Sequence, residues 1–413
     1  MSLLSPIHHT FAPLADGRQV RLTLSLLFRP WKWKNGPAKE ELRKELGTIF
    51  RGNAFLFASG REALFALFKA LRCQKNEEII VQGYTCVVVP NAIKAAGMAP
   101  VFVDIDPDTL SLDLQETERA ITPKTRAILC QHTFGIPALT KELRALCDRH
   151  GLVLMEDCAH IIPDRGEPKE VGRFGDVFLL SFGRDKAISG VTGGAVVVKQ
   201  KDTAASLQKL EKDAEKLSLL TIKLLLLYPL LYGLARPFYG IGIGKAFLAL
   251  CGKLHILVPI LRSREKQGEM SPRLHALPNA CAALALEQLR RIAALNDHRR
   301  ALTKLYFEEG TKRRWKMLLG VTPFLPLQKF PLFTKHAEKI RRTLKKDNIH
   351  LHDGWTGCVI CPASVDPQNL GYRDGQDPDA EMAGEQILSL PTHPTMTKKQ
   401  AQKLVALLDP LLP

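Results

Sequence analysis

A chain of 413 residues, 46% apolar and 24% charged, holds enough material for a large core and more than one domain, and its composition is that of a folded protein. The formal net charge of +16 suits an anionic metabolite or membrane surface, but no basic block interleaved with aromatics marks a nucleic-acid module, so no nucleic-acid polymer is expected as a partner. Nine scattered cysteines, an odd number, and no secretory-type leader point to a reducing, cytoplasmic compartment; Cys358 and Cys361 form a lone CxxC without a second half at zinc spacing, so no metal is expected.

Residues 1–36 read as an N-terminal arm or edge segment, with partial alternation from Val20 to Phe28 and then Pro30 and Trp31-Lys32-Trp33-Lys34. The two tryptophans either line a substrate entrance or pack one domain on another. Lys39 to Phe50 is expected to be a helix, with Leu42, Leu46 and Ile49 on one side. A short strand then runs through Ala58 into Ser59-Gly60-Arg61 and a helix ending near Leu71. Free N–H groups and the dipole at such a helix start suit a phosphate, while Ser59 can equally be a plain N-cap.

From Ile79 a β/α rhythm sets in, with strands expected at 79–81, 101–103, 126–131 and 151–156 and helices between them. Buried strands alternating with helices predict a mainly parallel sheet covered on both faces, in a large domain spanning 37–270. No GxGxxG follows the first strand, so a Rossmann cofactor site is set aside. Within residues 217–260 the run from Leu217 to Ala235 carries only Lys223 as a charge, and a glycine-rich apolar stretch follows. Three readings stay open: a helical hairpin packed on the domain or on a partner subunit, a peripheral or re-entrant membrane contact, and a spanning helix. Residues 271–413 are expected to form a smaller C-terminal domain, beginning with the alanine-rich helix 277–294.

The chemistry lies between Gly151 and Val198. One apolar run ends in Glu156-Asp157, and a second, Val177 to Leu180, delivers Ser181 and then Lys186. A carboxylate and a lysine past two strand ends, with an anion-binding helix start earlier in the chain, are the parts that a pyridoxal 5'-phosphate enzyme needs. Lys186 can form the internal aldimine and serve as base, and Asp157 can pair with the pyridinium nitrogen. His160 can hydrogen-bond near the ring, and Ser59, Gly60, Arg61 and Ser181 can hold the phosphate.

Taken together, ASGREAL (58–64), PVFVDIDPDTLSLD (100–113), ITPKTRAILCQHTFG (121–135), EDCAH (156–160), FGDVFLLSFGRDKAISGVTGGAVV (174–197), AALALEQL (282–289) and ILSLPTHP (387–394) resemble the DegT/DnrJ/EryC1/StrS family of pyridoxal-phosphate-dependent sugar aminotransferases. The resemblance implies a type I aminotransferase fold: an α/β large domain with a mainly parallel seven-stranded sheet and a smaller C-terminal α+β domain. It implies a homodimer with a shared active site, Lys186, Asp157 and His160 as catalytic residues, and Ser59, Gly60 and Ser181 as phosphate ligands, with Arg61 standing where the family commonly has threonine. Lysine at 186, where family-like dehydratases carry histidine, implies transamination, from glutamate to a keto group on a nucleotide-linked sugar. Other pyridoxal chemistry, or a membrane-proximal non-catalytic scaffold, are the alternatives. In Tyr84-Thr85-Cys86 either Tyr84 or Cys86 covers the ring face, and Asn279 stands nearest to the family's partner-subunit asparagine.

Overall fold

The computed structural model describes residues 6–10, 12–166 and 170–412. Its centre is a nine-stranded sheet. Seven strands form the body: β1 (Asn53–Phe57), β2 (Glu78–Gln82), β3 (Ala99–Val103), β4 (Thr125–Gln131), β5 (Val153–Asp157), β6 (Val177–Ser181) and β7 (Gly194–Val198). Two two-residue strands, β8 (Glu215–Lys216) and β9 (His275–Ala276), lengthen one edge, giving the order β8-β9-β1-β7-β6-β5-β4-β2-β3. The expected seven strands are thus extended to nine. Within the body only β7 runs against its neighbours, pairing antiparallel with both β1 and β6.

Alternation along these strands feeds two cores. Ala54, Leu56, Phe178, Leu180, Ala195 and Val197 face one side, and Phe55, Phe57, Val177, Leu179, Val196 and Val198 face the other. A sheet apolar on both faces must be covered on both. The first face is covered by helices α1 (Gly17–Leu27), α2 (Ala38–Phe50), α4 (Leu219–Ala235) and α6 (Asn279–Arg290), and the second by α3 (Gly60–Ala70). Between α4 and α6 lies α5 (Ile243–Lys253).

Two expectations, on Val20–Phe28 and on the 277–294 helix, are corrected here. Val20–Phe28 is no strand: residues 17–27 form α1, N-capped by Asp16, whose carboxylate accepts from the N–H groups of Arg18 and Gln19. α6, which follows residue 271, packs beside α2 in the core under the sheet. The 277–294 helix is two helices, α6 and Ile292–Lys312. The C-terminal core gathers around the antiparallel pair Lys329–Phe333 and Ile387–Pro391, and the arm's Ile7–His8 joins it by pairing with Ile349–His350.

Candidate active site

At the carboxyl ends of β5 and β6 opens a cavity of about 470 Å³. Ser59, Gly60, Arg61, Cys86, Asp157, His160, Ser181 and Lys186 all contribute to its wall. Eight of the nine expected site residues are therefore brought together.

Each is placed by a local cause. Ser59 is extended and N-caps α3, its hydroxyl accepting from Glu62 N–H at 3.3 Å. The cap role and the cavity-lining role thus coexist. The N–H groups of Gly60 and Arg61 in the first turn have no acceptor within the helix and offer an anion two donors. This junction lies tight against the sheet: a Cβ on Gly60 would sit 3.0 Å from Ser181 Oγ, and one on Gly194 would come within 2.5 Å of Gly60 N. The Arg61 side chain is turned away from a phosphate role, since its guanidinium pairs with Glu265 and donates to the carbonyl of Ile260.

Strand pleat separates the two acids of β5. Glu156 is fully buried and accepts from the N–H groups of Gly172, Phe174 and Gly175 and from His132, a satisfied structural role. Asp157 lines the cavity, with one carboxylate oxygen accepting from Ala159 N–H at 2.9 Å. Burial raises its pKa, opposed by that N–H and by the charge of Lys186. A carboxyl in this setting is suited to a cationic ring N–H, whose charge would hold it ionised.

His160 receives the Phe134 N–H on Nδ1 at 3.2 Å, so its neutral ring carries the proton on Nε2. Nε2 lies 3.2 Å from Lys186 Nζ, within hydrogen-bond distance. Burial, reinforced by the charges of Lys186 and Lys329, lowers the His160 pKa well below the ordinary value, which keeps the ring neutral. Phe134 stacks on it, with centroids 6.1 Å apart, and Trp355 meets it edge-on at 5.1 Å.

Tyr84 is the exception. It is fully buried outside the cavity wall, donating its hydroxyl to the carbonyl of Trp355 at 2.6 Å and packing edge-on against Phe134 and Trp355. Of the two proposed ring covers, Cys86 lines the cavity. Asn279 is likewise engaged elsewhere, accepting from Ala38 N–H and donating to the carbonyl of Lys32, so it fixes the entry to α2. Sequence reading missed Trp355, His352 and Pro362, which reach the cavity from the C-terminal domain, and Gln131 at the end of β4. Gln131 sits inside the quoted QHTFG stretch and was open to notice; no local pattern marks the others.

This sheet, with its acid and lysine at strand ends and a second domain over the mouth, is the fold-type I architecture of the pyridoxal-phosphate-dependent aminotransferases. The chain belongs to the DegT/DnrJ/EryC1/StrS aminotransferase family, whose model matches residues 21–216 and 263–409. GDP-perosamine synthase of Vibrio cholerae is 32% identical over 188 residues, 45% of this chain and 51% of that protein, so the match spans about half of that relative's length. DesV of S. venezuelae, solved in complex with a ketimine intermediate, has a TM-score of 0.71 at 24% identity, covering 95% of this chain and 94% of that one. Helicobacter pylori PseC, an aminotransferase involved in the biosynthesis of pseudoaminic acid, gives 0.73 at 19% identity, covering 97% and 98%. NtdA from Bacillus subtilis, solved with bound cofactor PMP, gives 0.71 at 20% identity, covering 95% and 80%. The interval between the two family-matched segments coincides with the apolar insert.

Proposed function

We propose that this protein is a pyridoxal 5'-phosphate-dependent aminotransferase that moves an amino group from an amino acid, glutamate by family resemblance, to a keto group on a nucleotide-linked sugar. The observation that carries this reading is the convergence of the Ser59-Gly60 helix start, Asp157, His160, Ser181 and Lys186 on one cavity. Bound there, the cofactor supplies an electron sink and a carrier for the amino group. The Gly60 and Arg61 N–H groups with the Ser59 and Ser181 hydroxyls would hold its phosphate, and Asp157 would hold its ring nitrogen in the protonated form. Lys186 Nζ would be the amine that attaches the cofactor, and as a free amine it would be the base that takes and returns the substrate proton. The relatives named for sugar products support a sugar acceptor, and the family supports a homodimer. The nine free cysteines fit a reducing cytoplasm.

The test is reconstitution. Purified protein given pyridoxal 5'-phosphate should develop a visible absorption band that borohydride fixes covalently to Lys186, and Lys186→Ala should lose both band and label while keeping its fold. Wild-type protein that stays colourless with added cofactor overturns the reading.

A further inference from the structure

Residues 217–262 carry an outer face that nothing among the described residues covers. In α4, Ile222, Leu225, Leu226 and Pro229 are buried inward against the large domain. Leu220, Leu224, Leu227, Leu231 and Leu234 recur at four- and three-residue steps along the other side, and none of them is buried. In α5, an apolar helix of 11 residues, only Gly244 and Cys251 are buried. Leu220, Leu234 and Leu250 are 66%, 65% and 55% exposed. Next to α4 packs α1, and just beyond its end stand Phe28 and Trp31, 79% and 71% exposed, among Arg29, Lys32 and Lys34.

Charge on this insert has one sign. From Leu217 to Arg264 there is no acidic residue, while Lys223, Arg236, Lys245, Lys253, Arg262 and Arg264 are basic. A two-fold contact with a second copy would set these cations against one another without counter-charge. An anionic bilayer covers the apolar face and neutralises the cations together, with the lysine stems lying along apolar surface and their heads at the phosphates.

Leu219–Phe238 is the one helix among the described residues long and apolar enough to cross a membrane. It cannot do so here. Its inner face belongs to the protein core, and the returning helix α5, at roughly 16 Å, is half the ~30 Å of a hydrocarbon layer. We infer that residues 217–262 form a monotopic anchor, set by the outer face of α4 and α5 into an anionic lipid surface. The same insert walls the cavity: Leu225, Val258, Ile260 and Leu261 line it, and Arg184 donates to the carbonyl of Val258 at 2.6 Å while stacking 4.1 Å from the Tyr228 ring. The cavity and the lipid therefore lie on opposite sides of one layer of helix, about 10 Å thick.

The experiment uses the full chain, loaded with pyridoxal 5'-phosphate and free of detergent, floated with vesicles of phosphatidylcholine alone or with about 30% phosphatidylglycerol. Flotation with the anionic vesicles should exceed that with neutral ones by roughly tenfold and weaken as salt rises from about 0.1 to 0.5 M. The double variant Leu234→Glu/Leu250→Glu, at exposed positions away from the cavity, should lose flotation by at least about tenfold while keeping its oligomeric mass and thermal midpoint. Wild-type protein that stays soluble with both vesicles overturns the anchor. So does a double variant that floats normally, or one whose oligomer falls apart, which assigns the face to a second copy.

Discussion

Glu156 and Asp157 are neighbours in sequence, and one residue of strand pleat gives them opposite fates. Glu156 is saturated by three backbone donors and a histidine, while Asp157 faces the cavity with burial raising its pKa. Asp157→Asn keeps the shape and removes the charge that would hold a ring N–H. Loss of one charge-assisted hydrogen bond, about 1.5–3 kcal/mol, predicts cofactor binding weaker by roughly 10- to 150-fold in a fluorescence titration, with near-wild-type stability. Unchanged affinity would remove Asp157 from this role. The pair was legible in the sequence because an apolar run ended in acids, and alternation alone assigns their sides. Tyr84 was not legible in this way: its partners Phe134 and Trp355 are distant in the chain, and they turn the ring into the C-terminal core.

At the scale of elements, α1 is the instructive departure. Val20, Leu22, Leu24 and Leu26 alternate like a strand, yet the buried residues are Gln19, Thr23 and Leu26, at helical spacing. Two of these three are polar, which hid the inward face from a hydropathy pattern. Gln19 is accommodated there because its amide donates to the carbonyl of Leu284 and to Glu287. The β1-to-α3 junction, by contrast, was legible from Ser59-Gly60 alone. Its tightness makes a prediction: Gly194→Ala sets a Cβ within 2.5 Å of Gly60 N, overpacking that costs about 1–3 kcal/mol. The variant should melt several degrees lower and take up cofactor poorly. A midpoint and uptake equal to wild type would show that the strand and helix can separate freely.

Across the whole molecule, the arm and the C-terminal domain are joined by neutral histidines. His9 Nε2–H donates to the carbonyl of Ser389 at 2.9 Å, and His393 donates to that of His8 at 2.6 Å. Burial lowers their pKa values to about 4 for His9 and about 3 for His393. Below the unfolded value the unfolded chain binds more protons than the native one, so stability is full above about pH 6.5 and falls as pH drops toward the folded values. Each ring contributes about 1.4 kcal/mol per pH unit within that window. The thermal midpoint should fall by roughly 5 °C between about pH 7 and 5, and a flat midpoint would mean that these rings charge within the fold.

The insert also meets the sheet in a particular way. It leaves from β8 and returns at β9, which pair side by side, Glu215 with His275 and Lys216 with Ala276. To the sheet, everything between is a loop whose two ends are already neighbours, and the entropy of closing such a loop grows by only about 0.6 kcal/mol for each doubling of its length. Length can therefore be added beyond α4 at this seam at little entropic cost, whereas α4 itself is held in place by Ile222, Leu225 and Leu226, which pack with Phe178 and Leu180 in the core beneath the sheet.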